Sequence, residues 1–133
     1  MILIDTSIWI NYFRNSPHPY VALVDRLIQK NEEIATCGVV LTEVLQGVRD
    51  EREARILLQL FERMPVLTLD TNGYILAAEI YRKARQSGHT IRRTTDCLIA
   101  ACAIHHSAVL LHHDKDFDII AKHSKLKILT TPL

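Results

Sequence analysis

No apolar run in this 133-residue chain approaches the roughly 20 residues that a membrane-spanning helix needs. The opening residues, MILIDTSIWI, lack the basic stretch, long apolar segment and small-residue cleavage site of a secretory signal. The expectation is a soluble, cytoplasmic protein. An excess of one charge is missing too: Lys and Arg number 16 against 15 Asp and Glu, so total charge gives no argument for nucleic acid and any basic surface has to be local. Cysteine is scarce. Cys37, Cys97 and Cys102 are odd in number and widely spaced, with no C-x-x-C pair, which argues against a disulfide framework or a cysteine zinc site and leaves reduced, buried thiols. The adjacent histidine pairs, His105 with His106 and His112 with His113, lack the one-turn spacing of a zinc helix. P-loop, dinucleotide-binding and nucleophile-elbow glycine motifs are absent as well.

With only 4 Gly and 4 Pro, and no repeat or linker, the chain reads as one domain over residues 1–133. Short aliphatic runs at Ile2–Ile4, Glu33–Thr36, Val66–Leu69, Ala108–Leu111 and Lys127–Leu129 alternate with segments of helical period. Those segments are Ser7–Arg14, Tyr20–Gln29, Val39–Val48, Glu51–Arg63, Thr71–Ser87, Thr95–His106 and Phe117–His123. The alternation predicts the α/β class: a central, mostly parallel sheet of about five strands covered by helices. Gly88 fits a left-handed cap after the fifth helix.

Four carboxylates stand where such a fold collects ligands. Asp5 leaves the first strand, either as a helix N-cap bonded to Ser7 or Ile8 or as a ligand at the carboxyl edge of the sheet. Glu43 lies among Val39, Val40, Leu41, Val44 and Leu45 and, if buried there, needs a cation, a proton or a path to water. Asp96 opens the apolar stretch TTDCLIAACAI, where a first-turn Asp suits the helix dipole with Thr94 or Thr95 as N-cap. It also marks where that buried helix meets a polar cavity. After Leu111 the chain runs into Asp114, Asp116 and Asp118; Asp114 is the first choice for a ligand and Asp116 the second.

In their order, ILIDTSIWI, LTEVLQG, TTDCLIAACAI and LLHHDKDFDIIA resemble the PIN domain over essentially the whole chain, and among PIN domains the small VapC-type toxins of toxin–antitoxin pairs. The resemblance implies a metal-dependent endoribonuclease whose acidic quartet is Asp5, Glu43, Asp96 and Asp114, with Asp116 at a position that is often acidic. It further implies that Ser7, and Thr6 or Thr95, organise the site, and that a homodimer and a cognate VapB-type antitoxin are partners. His112 is a departure, because many relatives carry Thr or Ser before the last acidic pair.

Clustered carboxylates repel one another unless a cation joins them. Mg2+ suits oxygen ligands and keeps several waters, with Asp5 and Asp96 as direct ligands and the others direct or water-mediated; Mn2+ is able to substitute. Such a site would activate water for in-line attack on RNA and leave 5′-phosphate ends. The stretch YRKARQSGHTIRR puts Arg82, Lys83, Arg85, Arg92 and Arg93 ahead of Asp96 as candidates for RNA phosphates or, equally, as a solvated face. Trp9, Ile10, Tyr12, Phe13, Val44 and Leu45 are candidates either for an antitoxin groove or for the core. The other class weighed is a non-catalytic α/β module, receiver-like or an inactive PIN domain. A receiver would have an acidic pair after its first strand, where Asp5 is followed by Thr6, and a D-x-D phosphatase would need an acid at Ser7.

Overall fold

One or two helices follow each of the first four strands in the computed structural model, which describes residues 1–130. In chain order the elements are β1 (Ile2–Ile4), α1 (Thr6–Phe13), α2 (Pro19–Gln29), β2 (Ile34–Cys37), α3 (Gly38–Gln46), α4 (Glu51–Phe61), β3 (Val66–Leu67), α5 (Thr71–Gln86), α6 (Thr94–His105), β4 (Val109–Leu111), α7 (Lys115–Lys122) and β5 (Lys127–Ile128). The strands form one sheet in the order β3-β2-β1-β4-β5, and every neighbouring pair is parallel. The expected α/β class and five-stranded sheet are what is found.

The chain leaves β1 for β2 and β3 on one side, then crosses to β4 and β5 on the other. The direction therefore reverses between β1 and β4, the crevice where open parallel sheets bind ligands at their carboxyl ends. Ile4 lies opposite Leu111 there, and the Asp5 N–H donates to the Leu111 carbonyl at 2.9 Å. That bond joins the exits of the two strands.

Several boundaries differ from the sequence expectation. The third strand stops at Leu67 rather than Leu69 because α6 takes its carbonyls: the Cys102 thiol donates to the Leu67 carbonyl at 3.4 Å, and the His106 ring bonds the Thr68 carbonyl at 2.7 Å. Helix α7 begins at Lys115 rather than Phe117, because the Asp114 side chain accepts from the Asp116 N–H and caps it two residues early. Neither Thr94 nor Thr95 caps α6; Arg93 holds that position without a side-chain cap bond. Gly88 does sit after α5 in the left-handed region, at φ 87°.

Helix α6 is the interior pillar. Cys97, Ile99, Ala100, Ala101, Cys102 and Ala103 are all buried on it, and their small side chains let α5 approach closely. All three cysteines are free thiols in the interior. Among the described residues no helix is long and apolar enough to cross a membrane.

Candidate active site

Asp5 caps α1 with one oxygen and leaves the other over. Its Oδ2 accepts from the Ser7 N–H at 3.2 Å and the Ser7 hydroxyl at 2.6 Å, so one oxygen orders the start of α1. Among the described residues no hydrogen bond reaches Oδ1, whose lone pairs stay available. Thr6, the next residue, donates its hydroxyl to Glu43 Oε1 at 2.8 Å and so ties α3 to the exit of β1. Thr95, expected to organise the site as well, makes no such bond among the described residues.

Asp96 is only 5% exposed, and its Oδ2 is buried without a hydrogen-bond partner. Leaving such an atom bare is costly. Burial first, then the charges of Asp5, Asp114 and Asp116, push its carboxyl up to about 7, with Arg93 opposing them. Asp5 is raised for the same leading reason, burial, against the lowering effect of its Ser7 bonds. The helix dipole that favours an acid at this end of α6 is outweighed.

Asp114 and Asp116 follow β4. Arg92 bridges them: its backbone N–H and Nε each lie 3.2 Å from Asp116 Oδ2, and its Nη2 lies 3.2 Å from Asp114 Oδ1. Arg93 Nη2 adds an ion pair with Asp114 Oδ2 at 3.6 Å. These two acids are thus paired to cations, whereas Asp5 and Asp96 make no ion pair among the described residues. His112 shapes the turn. Its Nδ1 accepts from the Asp114 N–H at 3.0 Å, which places the ring proton on Nε2, 3.4 Å from Asp118. Burial lowers its pKa, and the imidazole serves as the acceptor two residues before the cap of α7.

A family model described as the PIN domain matches residues 2–123. Ribonuclease VapC11 of Mycobacterium tuberculosis is 42% identical over 129 residues, covering 96% of this chain and 96% of its own. The chain belongs to the PIN-domain family, among the VapC ribonucleases. Two solved structures share the fold: VapBC-1 from nontypeable Haemophilus influenzae, with a TM-score of 0.78 and 23% identity over 97% of each chain, and VapBC2 from Rickettsia felis bound to a DNA fragment from their promoter, with a TM-score of 0.76 and 24% identity over 97% of this chain and 98% of that one. The receiver-like alternative is not favoured.

The donor set of this PIN domain fits a hard divalent cation. It offers carboxylate oxygens only, one of them buried and bare, and two acids whose proton affinity is raised. Among the described residues no three His, Cys, Asp or Glu side chains stand close enough to enclose an ion. Asp5 and Asp96 are the free pair, while Arg92 holds Asp116.

Two further groups stand apart from the acids: candidates for RNA phosphates or a solvated face, and candidates for an antitoxin groove or the core. Arg82 and Arg85 are exposed on α5 and make no ion pair with the four acids among the described residues; Arg85 lies over the Tyr81 ring at 5.7 Å. Trp9 is sealed in the core and Val44 is 4% exposed, so neither offers an open groove surface; Ile10, Tyr12, Phe13 and Leu45 are half-buried.

Arg92 already engages Asp116 Oδ2 and Asp114 Oδ1. Arg92→Ala strips Asp116 of its counter-charge, so the variant's melting temperature in EDTA falls below wild type and its rise on adding Mg2+ exceeds the wild-type rise. Thermal melts with and without Mg2+ read both; equal rises would show that the guanidinium does not obstruct the ion.

Proposed function

We propose that this PIN domain is a metal-dependent endoribonuclease, the toxin of a toxin–antitoxin pair, which hydrolyses RNA phosphodiester bonds to leave 5′-phosphate ends. The observation that carries the reading is the buried Asp96 oxygen that has no partner, in a carboxyl whose proton affinity is raised by burial and then by the charge of Asp5, the residue that leaves β1 at the sheet's switch point. Bound Mg2+, or Mn2+ in its place, would supply charge neutralisation and a more acidic water. The residues of the chain do the rest. Ser7 fixes the Asp5 carboxylate; Thr6 holds Glu43 at the rim, where its second oxygen is free to orient a water; Asp114 and Asp116 keep Arg92 and Arg93 at the mouth. Those guanidinia, 67% and 58% exposed, are placed to meet RNA phosphates while remaining paired to the acids.

The same reading gives the chain a VapB-type antitoxin partner, a homodimeric state and a cytoplasmic site of action, where RNA is the substrate. VapBC complexes with this fold support the antitoxin. The test is incubation of antitoxin-free protein with total cellular RNA in Mg2+, Mn2+ or EDTA, beside Asp5→Asn. Cleavage is expected only with metal, lost in Asp5→Asn, and its products should be degraded by a 5′-phosphate-dependent exonuclease. Cleavage undiminished by EDTA, or 5′-hydroxyl products, would sink the mechanism.

A further inference from the structure

Beside the acids lies a cluster of rings that neither the core nor the acidic site requires. His18 sits between Pro17 and Pro19 and caps α2: its Nδ1 accepts from the Tyr20 N–H at 3.3 Å, which locks the imidazole in place. The ring lies nearly parallel to Tyr20, at 4.8 Å between centroids and 13° between planes. His113 comes from the far side of the sequence, directly before Asp114. It packs edge-on to His18 at 4.5 Å and stands 5.5 Å from Tyr20.

His113 is exposed, and neither ring nitrogen makes a hydrogen bond among the described residues; its neighbour His112 does the structural work of the turn. Next to the rings opens a cleft of about 510 Å³, lined by Tyr20, His113, Asp114, Lys115, Ile128 and Leu129 among others. Its volume falls within the range of small-ligand sites. Asp114 belongs both to this cleft and to the acidic cluster, so the two are continuous.

We propose that His113 and Tyr20, held by His18, form a stacking platform for one unpaired nucleobase of the RNA, adjacent to the scissile phosphate. The proposal rests on the ribonuclease reading and adds to it where the strand leaves the acidic site. Single-stranded RNA exposes flat π faces, and aromatic and imidazole rings stack on them with little regard to base identity. Lys115, in the same cleft, offers a cation for the adjoining phosphate, partly countered by Asp114 and Asp118. The cleft's continuity with the acids through Asp114 favours the RNA strand over a protein partner as its occupant.

The experiment is an abasic scan. Short unstructured oligoribonucleotides, each with one base removed at a different position, are bound to protein carrying Asp96→Asn in Mg2+ and read by fluorescence anisotropy. One position is expected to lose about tenfold in affinity, the scale of one lost base stack. In His113→Ala and Tyr20→Leu that penalty should shrink to about twofold or less, and Tyr20→Phe, which keeps the ring, should restore it. Circular dichroism melts confirm that the variants fold. With active protein, His113→Ala should raise the half-saturating RNA concentration more than it lowers the turnover rate. Equal abasic penalties in all proteins overturn the platform, whether or not RNA is cleaved. Absence of metal-dependent cleavage by wild type overturns the ribonuclease reading instead, and the binding scan still decides the platform.

Discussion

Asp96→Asn is expected to cut RNA cleavage at least about 100-fold, the scale on which damage to a metal site is felt, while making the metal-free protein more stable at pH 8. The carboxyl is raised from 3.8 to about 7, chiefly by burial and then by Asp5. Its folded value stands above its unfolded one, so between about pH 4 and about pH 7 the native state binds more protons than the unfolded chain. Stability therefore falls as pH rises through that window and stays low above it. The full shift corresponds to a few kcal/mol; the lost interaction of the charge with the α6 dipole offsets part, leaving about 2 kcal/mol in favour of Asn. In melts this is roughly 5 °C or more for a domain of this size.

Mg2+ should reverse the order. A cation binds only the deprotonated carboxylate, so it raises the wild-type melting temperature most at pH 8 and the variant's hardly at all. In EDTA the wild type loses more stability than the variant from pH 5 to pH 8, because Asp96 sheds its proton in that window. A variant that melts below wild type at pH 8 in EDTA would show that the buried oxygen is not a strained charge. Cleavage at the wild-type rate would remove Asp96 from the site.

The candidate acids stand out in the sequence because they break a hydrophobic pattern: Asp5 ends an aliphatic strand, and Asp96 opens a helix that is apolar on every side. Pattern alone left cap and ligand as alternatives for Asp5. The fold makes them compatible, since the cap uses Oδ2 and leaves Oδ1 free. What could not be read were contacts between residues about 20 apart or more. The YRKARQSGHTIRR segment shows a run of positive charge, but only the tertiary fold sets Arg92 and Arg93 upon Asp114 and Asp116 and leaves Arg82 and Arg85 on an open helix face. Nor does sequence say that His112 uses one ring nitrogen as a turn acceptor. Local spacing, Nδ1 to the N–H two residues on, is the signal that could have suggested it. The third strand was overextended because β-propensity at Thr68 and Leu69 gives no warning that a helix side chain claims the Thr68 carbonyl.

Trp9 carries the largest expected loss of stability. The ring is sealed at 0% exposure, stacked on Phe13 at 5.6 Å and set edge-on to Phe61 at 5.4 Å and Tyr12 at 5.8 Å. Trp9→Ala removes that packing and leaves a cavity, a cost of about 4 kcal/mol. The indole carries a penalty of its own, however: its Nε1–H is buried with no acceptor. Trp9→Phe loses part of the ring but also deletes that orphan donor, which returns about 1–3 kcal/mol. Phe should therefore cost well under half of what Ala costs in urea denaturation, and a Phe variant as unstable as the Ala one would show that shape alone governs this position. The consequence reaches the site through the backbone. The Trp9 N–H bonds the Asp5 carbonyl at 3.3 Å in the first turn of α1, so loosening Trp9 frees the turn that holds Asp5, Thr6 and Ser7. Cleavage by Trp9→Ala is then expected to fail several degrees below its own melting temperature, while Trp9→Phe keeps cleaving up to its transition.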